Sequence, residues 1–233
     1  IAQMVHDAGA LYIAYDVLTL NGPVDYYITF DSEQVGEEQA RSLLEAAPSG
    51  NMVLINGNPP SNNAQLYYQG AMRVIQDYID NGGDITIVAD QWCKDFNADT
   101  AAMHMENALT ANNNDIQAVL ACTDSLATPV IAALEAQGLA GKVAVCGQDA
   151  ELAACQRIVE GTQTMTVYKP VKRLNKAACD IVYADLLGKD VESAPVEGTW
   201  GSYDNGHADV KAYKMEIVTV NKDNMMETVI ADN

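Results

Sequence analysis

The sequence predicts an α/β protein with parallel sheets flanked by helices. Three observations carry this. Short β-branched or apolar runs alternate with longer runs of helical period, as strand–helix–strand units do. Of the 233 residues, 48% are hydrophobic and 19% charged, enough to bury a core and too apolar for disorder. The helical runs stop at glycine turns, namely Asn81-Gly82-Gly83, Gln137-Gly138 and Leu187-Gly188. The length suits one large domain or two small lobes.

The elements follow in order. Ile1–Ala10 reads as the inside of a helix closed by a glycine, so an N-terminal portion is expected to have been removed or to lie elsewhere. Strands are expected at Leu11–Asp16, Asp25–Asp31, Met52–Gly57, Ile85–Asp90, Ile116–Thr123, Lys142–Gly147, Thr162–Tyr168 and Met215–Val220. Helices are expected at Glu33–Ala46, Ala64–Asn81, Asp99–Thr110, Ser125–Gln137, Glu151–Glu160 and Val171–Leu187. Asp124-Ser125 and Asp149 suit helix starts. Residues 189–214 lack clear periodicity, contain Gly198, Gly201, Asn205 and Gly206, and read as a connecting segment.

Charge excludes some partners. Asp and Glu number 32 against 13 Lys and Arg, a formal charge of −19. Such a chain repels a phosphate backbone, so nucleic acid is not expected as a partner, nor is an anionic membrane surface. No apolar run is long enough to span a bilayer, and no signal peptide is visible. The five cysteines, Cys93, Cys122, Cys146, Cys155 and Cys179, form no C-x-x-C pair. They read as small core hydrophobes rather than as a zinc site, a redox motif or a disulfide framework.

One pattern carries functional information. Most strands end in a polar or charged residue: Asp16, Asp31, Asn56 with Asn58, Asp90 with Trp92, Thr123 with Asp124, Asp149, and Lys169. Any single Asp there also serves as a helix cap. As a set, these residues should converge on one cleft, because open α/β sheets bind ligands outside the carboxyl ends of their strands. Carboxylates accept strong hydrogen bonds from neighbouring hydroxyls. A flat indole packs on the apolar C–H face of a pyranose. The set therefore suits a neutral polyol. Catalytic constellations are absent: the histidines are scattered, and there is no H-E-x-x-H, G-x-S-x-G, Walker loop or G-x-G-x-x-G. The Asp204-Asn205-Gly206 turn is too short for a calcium loop. No enzyme activity, cofactor or metal is expected.

Several stretches resemble the sugar-binding proteins of bacterial ABC transporters, which have the type I periplasmic-binding fold, and among them the D-xylose-binding branch. They are Ile13-Ala14-Tyr15-Asp16, Tyr27-Ile28-Thr29-Phe30-Asp31, Val35-Gly36-Glu37, Asn62-Asn63-Ala64, Asp90-Gln91-Trp92, 105–114, Gly147-Gln148-Asp149-Ala150, 161–170 and the end of the chain. The resemblance implies two lobes joined by three crossings, near Asp31-Ser32, near Lys169-Pro170 and within 208–218. Residues 1–32 and 170–212 would form an N-lobe lacking its first βα units. Residues 33–169 and 213–233 would form the C-lobe.

The same resemblance keeps Asp16, Trp92, Asp149 and Lys169 as sugar contacts and adds Asn63, Tyr68 and Thr123 to the ligand-binding set. Val17, Tyr68 and Thr123 stand where the xylose branch has Arg, Arg and Asn. Losing two cations favours neutral aldoses or amino sugars over sugar acids and phosphorylated sugars. The expected function is binding of a neutral, xylose-like monosaccharide between the lobes, outside the cytoplasmic membrane, for delivery to an ABC permease. Two alternatives are a sugar sensor for a membrane histidine kinase or chemoreceptor, and the effector domain of a cytoplasmic repressor. An upstream signal peptide or lipoprotein cysteine would favour the first, and an upstream helix-turn-helix the last.

Overall fold

A computed structural model describes residues 1–194 and 197–232. The chain runs α1 (Ala2–Asp7), β1 (Ile13–Tyr15), β2 (Tyr26–Phe30), α2 (Ser32–Ala46), β3 (Ser49–Asn56), α3 (Asn62–Asp80) and β4 (Asp84–Trp92). It continues with α4 (Ala98–Ala111), β5 (Ala118–Ala121), α5 (Asp124–Ala136), β6 (Ala144–Cys146), α6 (Leu152–Glu160), β7 (Thr166–Tyr168) and α7 (Val171–Leu186). The last elements are β8 (Thr199–Asp204), β9 (Asp209–Met215), β10 (Val218–Val220) and α8 (Val229–Asp232). Two compact units result: Ile1–Asp31 with Lys169–Ile217, and Ser32–Tyr168 with Val218–Asn233.

The first unit holds a sheet in the order β1-β2-β9-β8. β1, β2 and β9 are parallel, and β8 returns antiparallel to β9. α7 presents Leu174, Ala177, Ile181 and Ala184 at helical spacing, and these pack with Ile28, Phe30, Tyr213 and Met215 of the sheet. Ala14, Tyr27, Val210 and Ala212 form a second cluster with Leu18.

The second unit holds a fully parallel sheet in the order β4-β3-β5-β6. Its central strands, β3 from Met52 on and β5, are buried on both faces, as near-continuous apolar runs such as Met52-Val53-Leu54-Ile55 require. Val53, Ile55, Val119, Ala121 and Val145 pack with Met105, Ala108, Leu126 and Val130 of α4 and α5. Met52, Leu54, Leu120 and Cys146 alternate with these and so point to the opposite face. There Gln39 of α2, wholly buried, donates to the backbone oxygens of Cys122 (3.2 Å) and Gly147 (3.0 Å). β7 pairs antiparallel with β10.

Some expectations need correction. The segment expected to be a mere connection, 189–214, contains β8 and most of β9, and β9 lies inside the sheet. Lys211 and Lys214 interrupt its apolar run, which hid the strand. Their ammonium groups lie over the rings of Trp200 (5.1 Å) and Tyr203 (5.9 Å). The Asn205-Gly206 pair is the hairpin signal that identifies it. The run Met215–Val220 is two elements: Met215 ends β9, and β10 belongs to the second unit. The third crossing, at Ile217/Val218, falls within the expected 208–218, but the unit boundary lies later than the 212/213 read from the sequence, because β9 pairs with β2 through Met215. Asp149 does not cap α6; that position is Glu151, with no side-chain cap bond.

Candidate functional site

In the second unit, the carboxyl ends of four parallel strands carry the candidate residues. β3 ends at Asn56 and β4 at Trp92, paired in register. Trp92 is thus the last residue of the strand, not a residue beyond it. A bulge opposite Met52/Val53 shifts the β4 register by one residue, so that Asp90 pairs with Leu54.

Asp90 anchors this corner. Its Oδ1 accepts from buried Asn56 Nδ2 at 2.6 Å, and its Oδ2 accepts from the Tyr68 hydroxyl at 2.9 Å. Burial, and then the bond to Asp90, raises the Tyr68 hydroxyl above the usual phenol range. The rings of Tyr68 and Trp92 lie 5.3 Å apart at 50°. That separation is direct ring contact. Tyr68 therefore braces Trp92 rather than facing it across a gap wide enough for a ligand. Trp92 is left half-buried, with Asp90 exposed two residues before it.

Asn63 lies buried in the first turn of α3, whose N-cap Ser61 accepts from the Ala64 amide. Thr123 is also buried. Its hydroxyl caps α5 by accepting from the Leu126 amide at 3.4 Å and lies 2.8 Å from the Ser125 hydroxyl. The sequence suggested a ligand role for both; the structure places both at helix starts.

Asp149 is exposed and follows β6 in a left-handed conformation (φ 98°), as does Ala150 (φ 51°). Gln148 Nε2 donates to Asp149 Oδ1 at 3.0 Å and orients it. Beneath this turn lies Asp124, fully buried at the start of α5. It accepts from Gln163 Nε2 (2.8 Å), the Thr166 hydroxyl (2.9 Å) and the Glu151 amide (3.0 Å). Burial pushes its carboxyl up to about 6, against the pull of these three bonds. Asp124 was legible only as a strand-end cap; its partners come from distant segments.

In the first unit, Asp16 follows β1, also left-handed (φ 59°). Its backbone oxygen accepts from the Tyr27 and Thr29 hydroxyls, each at 3.1 Å, and its amide donates to Ile28 at 2.8 Å. A non-glycine residue at positive φ is uncommon and persists where its surroundings hold it, as these three bonds do here. The Lys169 ammonium lies 5.9 Å over the Phe30 ring. Asp31 accepts from Lys214 at 3.0 Å, so its strand-end carboxylate is engaged in an ion pair.

The chain matches the family described as periplasmic binding protein domain over residues 1–190. It is 46% identical over 224 residues to D-xylose-binding periplasmic proteins of Haemophilus influenzae and Escherichia coli, covering 96% of this chain. It spans 65% and 66% of those relatives' own lengths. A crystal structure of a carbohydrate transporter solute binding protein from Chloroflexus aurantiacus, in complex with D-glucose, superposes with a TM-score of 0.87 at 30% identity. That match covers 100% of this chain and 74% of the other.

Proposed function

The chain belongs to the periplasmic binding protein domain family, and from that membership we propose that it binds a neutral monosaccharide outside the cytoplasmic membrane for uptake by an ABC permease. The observation that carries the reading is the Asn56–Asp90–Tyr68–Trp92 corner. It offers a braced indole for the C–H face of a pyranose beside an exposed carboxylate for its hydroxyls. Asp149 supplies a second exposed carboxylate at the neighbouring strand ends. The sequence resemblance adds Asp16 and Lys169 of the first unit as contacts of the same ligand. Asn63 and Thr123 stay in the proposed set as secondary members, since both are buried and Thr123 already caps a helix. The role is binding without chemistry.

Relatives named for D-xylose and a structural neighbour holding D-glucose support an aldose ligand. Two strand-end carboxylates, Asp90 and Asp149, disfavour an anionic one, and partial desolvation strengthens that repulsion. The test is a thermal-shift and calorimetric series with D-xylose, D-glucose, D-galactose and the matching uronic acids. A ligand that binds only the folded state raises the melting temperature at saturation. A neutral aldose is expected to raise it. Tighter binding of a uronic acid than of its parent sugar would overturn the charge argument, and no shift with any aldose would overturn the function.

A further inference from the structure

The Asp149–Ala150 turn is an uncommon piece of backbone. Two consecutive non-glycine residues sit at positive φ, 98° and 51°. Such conformations persist only where the surroundings hold them. Here the surroundings converge on one residue. The Asp124 amide donates to the Gln148 oxygen at 2.9 Å, immediately before the turn. The Asp124 carboxylate accepts from the Glu151 amide at 3.0 Å, immediately after it. Within the turn, the Ala150 amide donates to the Thr166 hydroxyl at 3.2 Å, and that hydroxyl donates to Asp124 Oδ2 at 2.9 Å. Asp124 thus grips both ends of the turn directly and its middle through Thr166.

The chain is shaped to admit this grip. A Cβ on Gly147 would lie 2.0 Å from Asp124 Oδ1 and 2.8 Å from Gln163 Nε2, so only glycine lets the loop settle on the carboxylate. Gln163 is itself fixed, because its Oε1 accepts from Arg157 Nε at 3.0 Å and its Nε2 also donates to the Met165 oxygen at 3.1 Å.

We propose that Asp124 is a positioning residue for ligand binding, which acts by holding the Asp149 carboxylate in its binding orientation. This rests on the reading of Asp149 as a sugar contact. The chemistry asks for a carboxylate in particular. The three side-chain bonds all come from donors, so an isosteric Asn sets its own N–H groups against a donor in either orientation of its amide.

The experiment uses the intact protein and two readouts. Amide hydrogen exchange at Ala150 and Glu151 is measured without ligand, in wild type, Asp124→Asn and Thr166→Val. Thr166→Val removes the relay hydroxyl alone, and serves where Asp124→Asn does not fold. D-xylose and D-glucose affinities are then measured by calorimetry, with and without Asp149→Asn. Faster exchange at both amides is expected, with affinity lost by about tenfold, the scale of one charge-assisted hydrogen bond. In the Asp149→Asn background the further loss should shrink to about twofold or less, because the two residues act as one unit. Unchanged exchange, or an equal loss of affinity in both backgrounds, overturns the inference. If wild type binds neither sugar, the function reading fails on that result. Exchange still decides whether Asp124 holds the turn, and unchanged exchange there rejects the positioning role.

Discussion

Replacing Gly36 by alanine sets two effects of known size against each other. Intrinsic propensity favours the change, since alanine in a helix interior gains about 0.8–1.0 kcal/mol over glycine. The structure predicts the opposite sign. A Cβ on Gly36 would lie 1.8 Å from the Tyr67 carbonyl oxygen, and one on Gly70 would lie 2.0 Å from that of Glu33. The two glycines are thus a reciprocal pair at the crossing of α2 and α3. Non-bonded carbon and oxygen settle at about 3.3–3.6 Å, so the helices must part by roughly 1.5 Å. The obstacles are backbone atoms, so no side chain can swing aside. A gap of about 0.5–1 Å already forfeits a quarter to a half of a dispersion contact. Buried Val35, Leu43, Tyr67, Ala71 and Ile75 sit on these two helices. Overpacking costs about 1–3 kcal/mol, and a clash this deep belongs at the upper end. Subtracting the propensity gain leaves a net loss of about 2 kcal/mol. In a chain of this size that lowers Tm by about 4–8 °C. Calorimetry of Gly36→Ala and Gly70→Ala reads the shift, and the double variant should lose less than the sum, since both open the same crossing. An unchanged or raised Tm in either single variant would refute the packing argument.

Three further outcomes are expected. Trp92→Ala weakens monosaccharide binding by about 1–3 kcal/mol, the scale of one large apolar contact, and equal calorimetric affinity would remove the indole from the site. Thr123→Ala lowers unfolding free energy in urea by about 1 kcal/mol through loss of the α5 cap; a change within error would mean that the 3.4 Å bond contributes nothing. Burial raises the thiols of Cys93 (to about 11), Cys122, Cys146 and Cys155, so they stay protonated and inert at pH 8. A thiol reagent should label exposed Cys179 alone in the fast phase and all five after denaturation; a second fast thiol would contradict this burial.

Periodicity and punctuation determined most of the second unit. The β3 and β5 runs are apolar because both their faces are covered, and Gly82 and Gly138 end helices at positive φ because only glycine does so without strain. The clustering of polar residues at strand ends was also legible, since parallel strands must present their carboxyl ends together. What the tertiary structure decided is who partners whom. Asp90 meets Tyr68 across 22 residues, and Asp124 meets Gln163 and Thr166 across 39 and 42. No local pattern encodes such pairs, because packing alone sets which segments become neighbours. The same reason hid β9: its lysines read as solvent-facing loop until the rings of Trp200 and Tyr203 lay beneath them. It also set Tyr68, which the resemblance put in the ligand-binding set, against Trp92. Its 5.3 Å contact with Trp92 makes it a support, because two rings already touching leave no room for a third between them.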